Sequence, residues 1–207
     1  DASTNYIAKG SSFPKNLTYF ANNLYFSAND GKSGFELWTI NNKGKGETKV
    51  SELNKELRSI PSPESLTVAG NKLYFTIDNG NGRELWSLNK NNKAEKVKNS
   101  GDDPRHLTEI DGNLYYSASS SKGREPWVIK NNDLPKQLQD INPGIRSSNP
   151  KQFQLIRENT EKGGIKKTLY FSANGGKRGT ELWSQNISKD NNKAERYADI
   201  YSGEPSS

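Results

Sequence analysis

Four glutamates, Glu36, Glu84, Glu125 and Glu181, each stand two residues before a tryptophan, at Trp38, Trp86, Trp127 and Trp183. Four carboxylates in equivalent places could gather about one axis and take a ligand. A Glu beside a buried indole is read more simply as an acceptor for turn donors or as the partner of an arginine, and Arg83 and Arg124 directly precede two of the four. The tryptophans read the same way. A ring that returns once per unit is expected to pack, with its indole N–H satisfied by backbone, and sugar stacking is the functional alternative.

The polar residues ahead of each glutamate are the better candidates for binding. They are Asn29, Asp30 and Lys32; Asp78, Asn79 and Asn81; Ser119, Ser120 and Lys122; and Asn174, Lys177 and Arg178. Loops at one end of a rigid scaffold are where binding residues gather, and neighbouring amides, hydroxyls and carboxylates suit a polyol. Their glycines are explained by the turns alone. The stretch "DNGNGRE" at 78–84 has oxygens for calcium but lacks the spacing of a calcium loop, so no metal site is expected.

Catalysis has little to draw on. His106 is the one histidine, there is no cysteine, and no serine elbow lies near "DDPRHLTEI". Asp102 and Asp103 are read as neighbours in a loop rather than as a glycosidase pair. The glycines fall between strands rather than ahead of a helix, so no phosphate loop is expected. The expectation is a non-enzyme without a cofactor.

The elements that position these residues follow from repetition. The tryptophans are spaced by 48, 41 and 56 residues, and each is preceded by "LYFSAN", "LYFTID", "LYYSAS" or "LYFSAN", beginning at Leu24, Leu73, Leu114 and Leu169. A period of this length marks a solenoid or a propeller. Short aromatic runs bounded by Gly, Asn and Asp are strands. The second unit divides into "SLTVAG", "KLYFTID", "RELWSLN" and "KAEKVKN", and four strands make one propeller blade. Leu24, Phe26 and Ala28 share one face, as do Glu36, Trp38 and Ile40, while Tyr25, Ser27 and Leu37 take the other. Aromatics on both faces indicate sheets covered on both sides, and the charged fourth run indicates an exposed edge.

The expected fold is all-β: a β-propeller of four-stranded antiparallel blades in a single domain over 1–207. Its repeats run at about 15–52, 65–99, 106–140 and 151–200, with 201–207 opening a further repeat or forming a tail. Four blades in one ring is the favoured closure, and a larger ring made by self-association is next. "RENTEKGGIKKT" and "NISKDNN" are read as loops that lengthen the fourth repeat.

Composition narrows the partners. With 30 Lys+Arg against 24 Asp+Glu, the +6 charge favours acidic partners, although the lysines are scattered among Asn-rich turns as solvation would have them. Aromatics committed to strand interiors argue against single-stranded nucleic acid. Twenty aromatics at fixed places argue against disorder. No window approaches the roughly 18 apolar residues of a membrane span. The chain has no Met, so excision from a longer precursor, with a secretory signal already removed, is expected. Asn16-Leu17-Thr18 and Asn186-Ile187-Ser188 are glycosylation sequons if the source is eukaryotic.

The stretches "SANDGKSGFELW", "IDNGNGRELW", "SASSSKGREPW" and "SANGGKRGTELW", with the connector "DINPGIRSSNP", resemble the ELWxxDGT repeat family of bacterial secreted and cell-surface proteins. The "DGT" is absent after each Trp, and Pro126 replaces the usual Leu. The resemblance implies a propeller-like module outside the cytoplasm or on the cell surface, with adhesion or surface binding as its role. The resulting expectation is a non-enzymatic binding module that takes glycan or another anionic surface polymer through loops at one end. The alternative is a structural subunit that self-associates into a larger ring or array.

Overall fold

The computed structural model describes residues 10–32, 34–41, 47–50, 62–177, 179–188 and 192–198, among which every regular element is a β-strand. The first sheet holds β1 (Lys15–Phe20), β2 (Asn23–Asn29), β3 (Phe35–Asn41) and β4 (Glu47–Lys49). The second holds β5 (Glu64–Ala69), β6 (Lys72–Asp78), β7 (Arg83–Asn89) and β8 (Ala94–Lys96). β9 (Asp102–Ile110), β10 (Asn113–Ser120), β11 (Gly123–Ile129) and β12 (Lys136–Gln137) form the third. The fourth comprises β13 (Lys151–Asn159), β14 (Ile165–Asn174), β15 (Thr180–Asn186) and β16 (Glu195–Ala198). All four are antiparallel meanders in chain order.

Local chemistry fixes these hairpins. Between the first and second strands, Ala21-Asn22 and Asp111-Gly112 place both turn residues at positive φ, the geometry that matches strand twist in a two-residue hairpin. The glycine two residues before each Glu has φ of +78° at Gly34, +127° at Gly82, +76° at Gly123 and +73° at Gly179, a region open mainly to glycine. Every first strand also bulges at a left-handed residue: Asn16, Ser65, His106 or Gln152. In three of them the Thr two residues on donates its hydroxyl to the bulged carbonyl, from Thr18, Thr67 and Thr108 at 3.0–3.1 Å.

The sheets pack in series. First strands adjoin first strands, β1 against β5, β5 against β9 and β9 against β13. Each junction mates two unlike faces. Tyr25 and Leu37 of the first sheet meet Leu73, Phe75, Trp86 and Leu88 of the second. Tyr74 and Leu85 on the reverse of the second meet Leu114, Tyr116 and Ile129 of the third. Tyr115 and Val128 on the reverse of the third meet Leu169, Phe171 and Phe153 of the fourth. At 25 cal/mol or so per Å² of apolar surface, these three layers are the main source of stability.

Three expectations change. Among the described residues no apolar cluster joins the fourth sheet to the first, so the four sheets are seen as a series and not as a ring closed within one chain. Asp102 and Asp103 begin strand β9 rather than lying in a loop, because pairing of Ser119 with Asp102 extends the ladder to that point. Most of "RENTEKGGIKKT" is strand as well: Arg157–Lys167 and Glu158–Lys166 are cross-strand pairs, and the polar run makes a long exposed hairpin whose turn is closed by Thr160 and Gly164. Residues 189–191 of "NISKDNN" and the expected further repeat at 201–207 lie outside the described residues.

Candidate functional site

The repeated glutamates hold the scaffold. Glu125, fully buried, accepts the Ile141 N–H at 2.9 Å, the Ser148 N–H at 3.1 Å and the Ser148 hydroxyl at 2.7 Å, which pins the connector between the third and fourth sheets. Burial raises its carboxyl pKa, and these donors only partly offset that. Glu84 instead accepts from Asn79 Nδ2 at 2.7 Å, Trp86 Nε1 at 3.2 Å and Lys96 Nζ at 2.7 Å. Glu36 is fully buried and Glu181 nearly so.

The indoles follow the backbone rule three times out of four. Trp38, Trp127 and Trp183 donate to the carbonyls of Ala28, Ala118 and Ala173 at 2.9–3.1 Å. Trp86 turns to Glu84, in the unit where Ile77 stands opposite the glutamate in place of alanine. Trp86, Trp127 and Trp183 pack into the sheet junctions. Trp38 faces a hollow.

The arginines ahead of Glu84 and Glu125 point elsewhere, as alternation along a strand requires. Arg124 reaches Asp103, with Nη2 2.6 Å from Oδ2 and Nη1 donating to the backbone carbonyl at 2.7 Å. Arg105 Nε adds a bond at 2.9 Å and Arg83 Nη1 one at 3.4 Å. Burial would raise the Asp103 pKa, but the three guanidiniums outweigh it and hold the carboxyl below its usual range. His106, further along the same strand, is lowered first by burial and then by Lys151, Arg124 and Arg105. This knot ties the second sheet to the third. Its acidic member was the residue the sequence placed in a loop.

The candidate binding residues occupy the hairpin tips between second and third strands, where their side chains close turns. Asn29 Oδ1 accepts the Gly31 N–H at 2.7 Å, Asp30 Oδ1 that of Lys32 at 2.8 Å and Asp78 Oδ1 that of Gly80 at 3.0 Å. Asn79 Oδ1 takes Asn81 N–H at 2.9 Å, Ser120 Oγ takes Lys122 N–H at 3.1 Å and Asn174 Oδ1 takes Gly176 N–H at 2.8 Å. Ser119 lies in the ladder opposite Asp102 and Arg124. Lys122 lies 4.0 Å from Asp140, Lys177 is exposed, and Arg178 is outside the described residues. Each set belongs to its own sheet. No group of three His, Cys, Asp or Glu side chains able to hold a metal is present among the described residues, and no helix there is long and apolar enough to cross a membrane.

A hollow of about 880 Å³ lies on the first sheet, lined by Leu17, Leu24, Phe26, Trp38 and Ile40 beside Phe13. A smaller polar one, about 290 Å³, lies on the fourth sheet around Tyr170, Ser184 and Tyr197. Tyr170 and Tyr197 meet edge to face at 5.2 Å. Sequence patterning assigned Leu24, Phe26, Trp38 and Ile40 to strand faces without indicating that, among the described residues, no sheet covers them.

No protein-family model and no curated protein matches the chain. Solved structures that resemble it include a putative TolB from Agrobacterium tumefaciens, at 8% identity and TM-score 0.48 over 89% of this chain and 65% of that one. A prolyl endopeptidase aligns at 10% identity and TM-score 0.46 over 80% of this chain and 25% of its own. The apo AtxE2 isopeptidase aligns at 12% identity and TM-score 0.47 over 75% and 25%. The chain spans a quarter of the two peptidases and just under two thirds of the TolB structure, and no functional residue is transferred from them.

Proposed function

We propose that this chain is a non-enzymatic, extracellular or cell-surface β-propeller-type module of the ELWxxDGT kind, and that it works by assembly through the outer faces of its first and last sheets. One observation carries the reading. The Leu and aromatic positions that are closed in the second, third and fourth sheets are half-open in the first, where Leu24 and Phe26 line a hollow with Trp38 and Ile40. Contiguous apolar surface of this kind marks an interaction site. The hairpin tips, whose oxygens are engaged in turns, become the rim that such an assembly presents to glycan or another surface polymer. Weak contacts there would add through effective concentration.

The absence of cysteine makes a direct test simple. Leu17, 62% exposed beside the hollow, is replaced by Cys and labelled with a polarity-sensitive dye. Assembly predicts a blue shift as concentration rises. A dye that reports water at every concentration, together with strong signals on a glycan array, would replace the assembly reading with that of a monomeric binding module.

A further inference from the structure

The three internal junctions share one grammar. At each, the face carrying the Leu, the aromatic and the Trp of one sheet receives the face carrying the Tyr of the sheet before it. The inserted Tyr and the aromatic that receives it are closed to water at each junction: Tyr25, Tyr74 and Tyr115 are 0–2% exposed, as are Phe75, Tyr116 and Phe171. Small polar residues on the Tyr-bearing face are sealed as well, at Ser27, Thr76 and Ser117.

Among the described residues one face of each kind is left over. The first sheet keeps its Leu, Phe and Trp face, with Leu24, Phe26 and Trp38 half-buried. The fourth keeps its Tyr face, with Tyr170, Ser172, Leu182 and Ser184 half-buried where their counterparts in the other sheets are closed. The hollows on these two faces share no lining residue. Two like faces would not mate by this grammar, but the two unlike ones would.

Resting on the assembly reading, we infer that the occupant of the first sheet's open face is the fourth sheet of a second copy of this chain, and that two copies close head to tail into a ring of eight sheets. The occupant follows from continuity with the three junctions already formed: residue for residue, Tyr170 is to Phe26 what Tyr25 is to Phe75. The number follows from closure. Propellers typically have about 4–8 blades, so two copies of a four-sheet chain reach the upper end of that range and three exceed it. Head-to-tail contacts give rings when the rotation closes and filaments when it does not.

The test is mass in solution for the wild type, Phe26→Asp and Tyr170→Asp. The wild type is expected at twice 23.1 kDa. Each variant alone loses the dimer, because every interface in its ring carries the charge on one side. An equimolar mixture of the two variants recovers a particle of twice the monomer mass, because one of its two interfaces is then unaltered on both sides. Recovery on mixing also shows that both variants fold. A Tyr170→Asp variant that dimerises like wild type overturns the inference by showing that like faces pair. Larger open-ended particles also overturn it while leaving the assembly reading in place. A wild-type chain that stays monomeric at all concentrations removes both.

Discussion

Phe75 and Phe26 sit at the same place in their units, opposite Trp86 and Trp38 in the ladder. Phe75 is fully buried at the junction of the first and second sheets, whereas Phe26 is half-buried beside a hollow. Their local sequences, "LYFTID" and "LYFSAN", prescribe the same strand and the same facing. The difference lies in what stands across from them. Amphipathic patterning tells a side chain which way to face, and stability follows only where a second sheet is there to be faced.

The sharpest way to break this comparison is to truncate both rings. Phe75→Ala should cost about 3–5 kcal/mol in chemical denaturation, as a buried Phe does when it leaves a cavity, and Phe26→Ala no more than about half of that in the isolated monomer. Equal losses would mean that the first sheet's face is covered in solution. A second pair contrasts two left-handed glycines. A Cβ on Gly123 would lie 2.5 Å from the Arg146 carbonyl oxygen, whereas one on Gly31 meets nothing within 4 Å. Gly123→Ala should therefore lose about 2 kcal/mol or more in the same measurement, and Gly31→Ala about 1 kcal/mol, the cost of the backbone conformation alone.

The smallest effect is electrostatic. The Asp103 carboxyl is lowered in the folded protein, so its stabilising share is complete above its ordinary value near 4 and is lost as the pH falls through the lower folded value. Thermal melting of wild type and Asp103→Asn should therefore differ at neutral pH and converge below about pH 4. A difference that persists in acid would assign the role of Asp103 to the hydrogen bonds that its side-chain oxygen accepts from Arg105 and Arg124 rather than to its charge.

Much of the site's logic was readable in advance. The face assignments of Leu24, Phe26 and Ala28 against Tyr25 and Ser27 follow from strand period, whereas the placing of Phe26 opposite Trp38 is set by the ladder register. The glutamates could be read as acceptors, but not which donors they take. Glu125 finds its donors in Ile141 and Ser148, up to 23 residues on, while Glu84 finds Asn79 five residues back. Asp103 was misread because "DDPR" carries a loop-like composition, and a strand there is sustained by guanidiniums from two neighbouring third strands rather than by propensity.

By itself the sequence determined four units, four strands in each and, in the first unit, which neighbours share a strand face. These are short-range properties, set by a two-residue period and by glycines at turns whose φ favours glycine. The tertiary structure alone decided which faces meet and that, among the described residues, one of each kind is left over. That outcome depends on the placement of whole sheets, and identical local patterns at Phe26 and Phe75 contain no record of it.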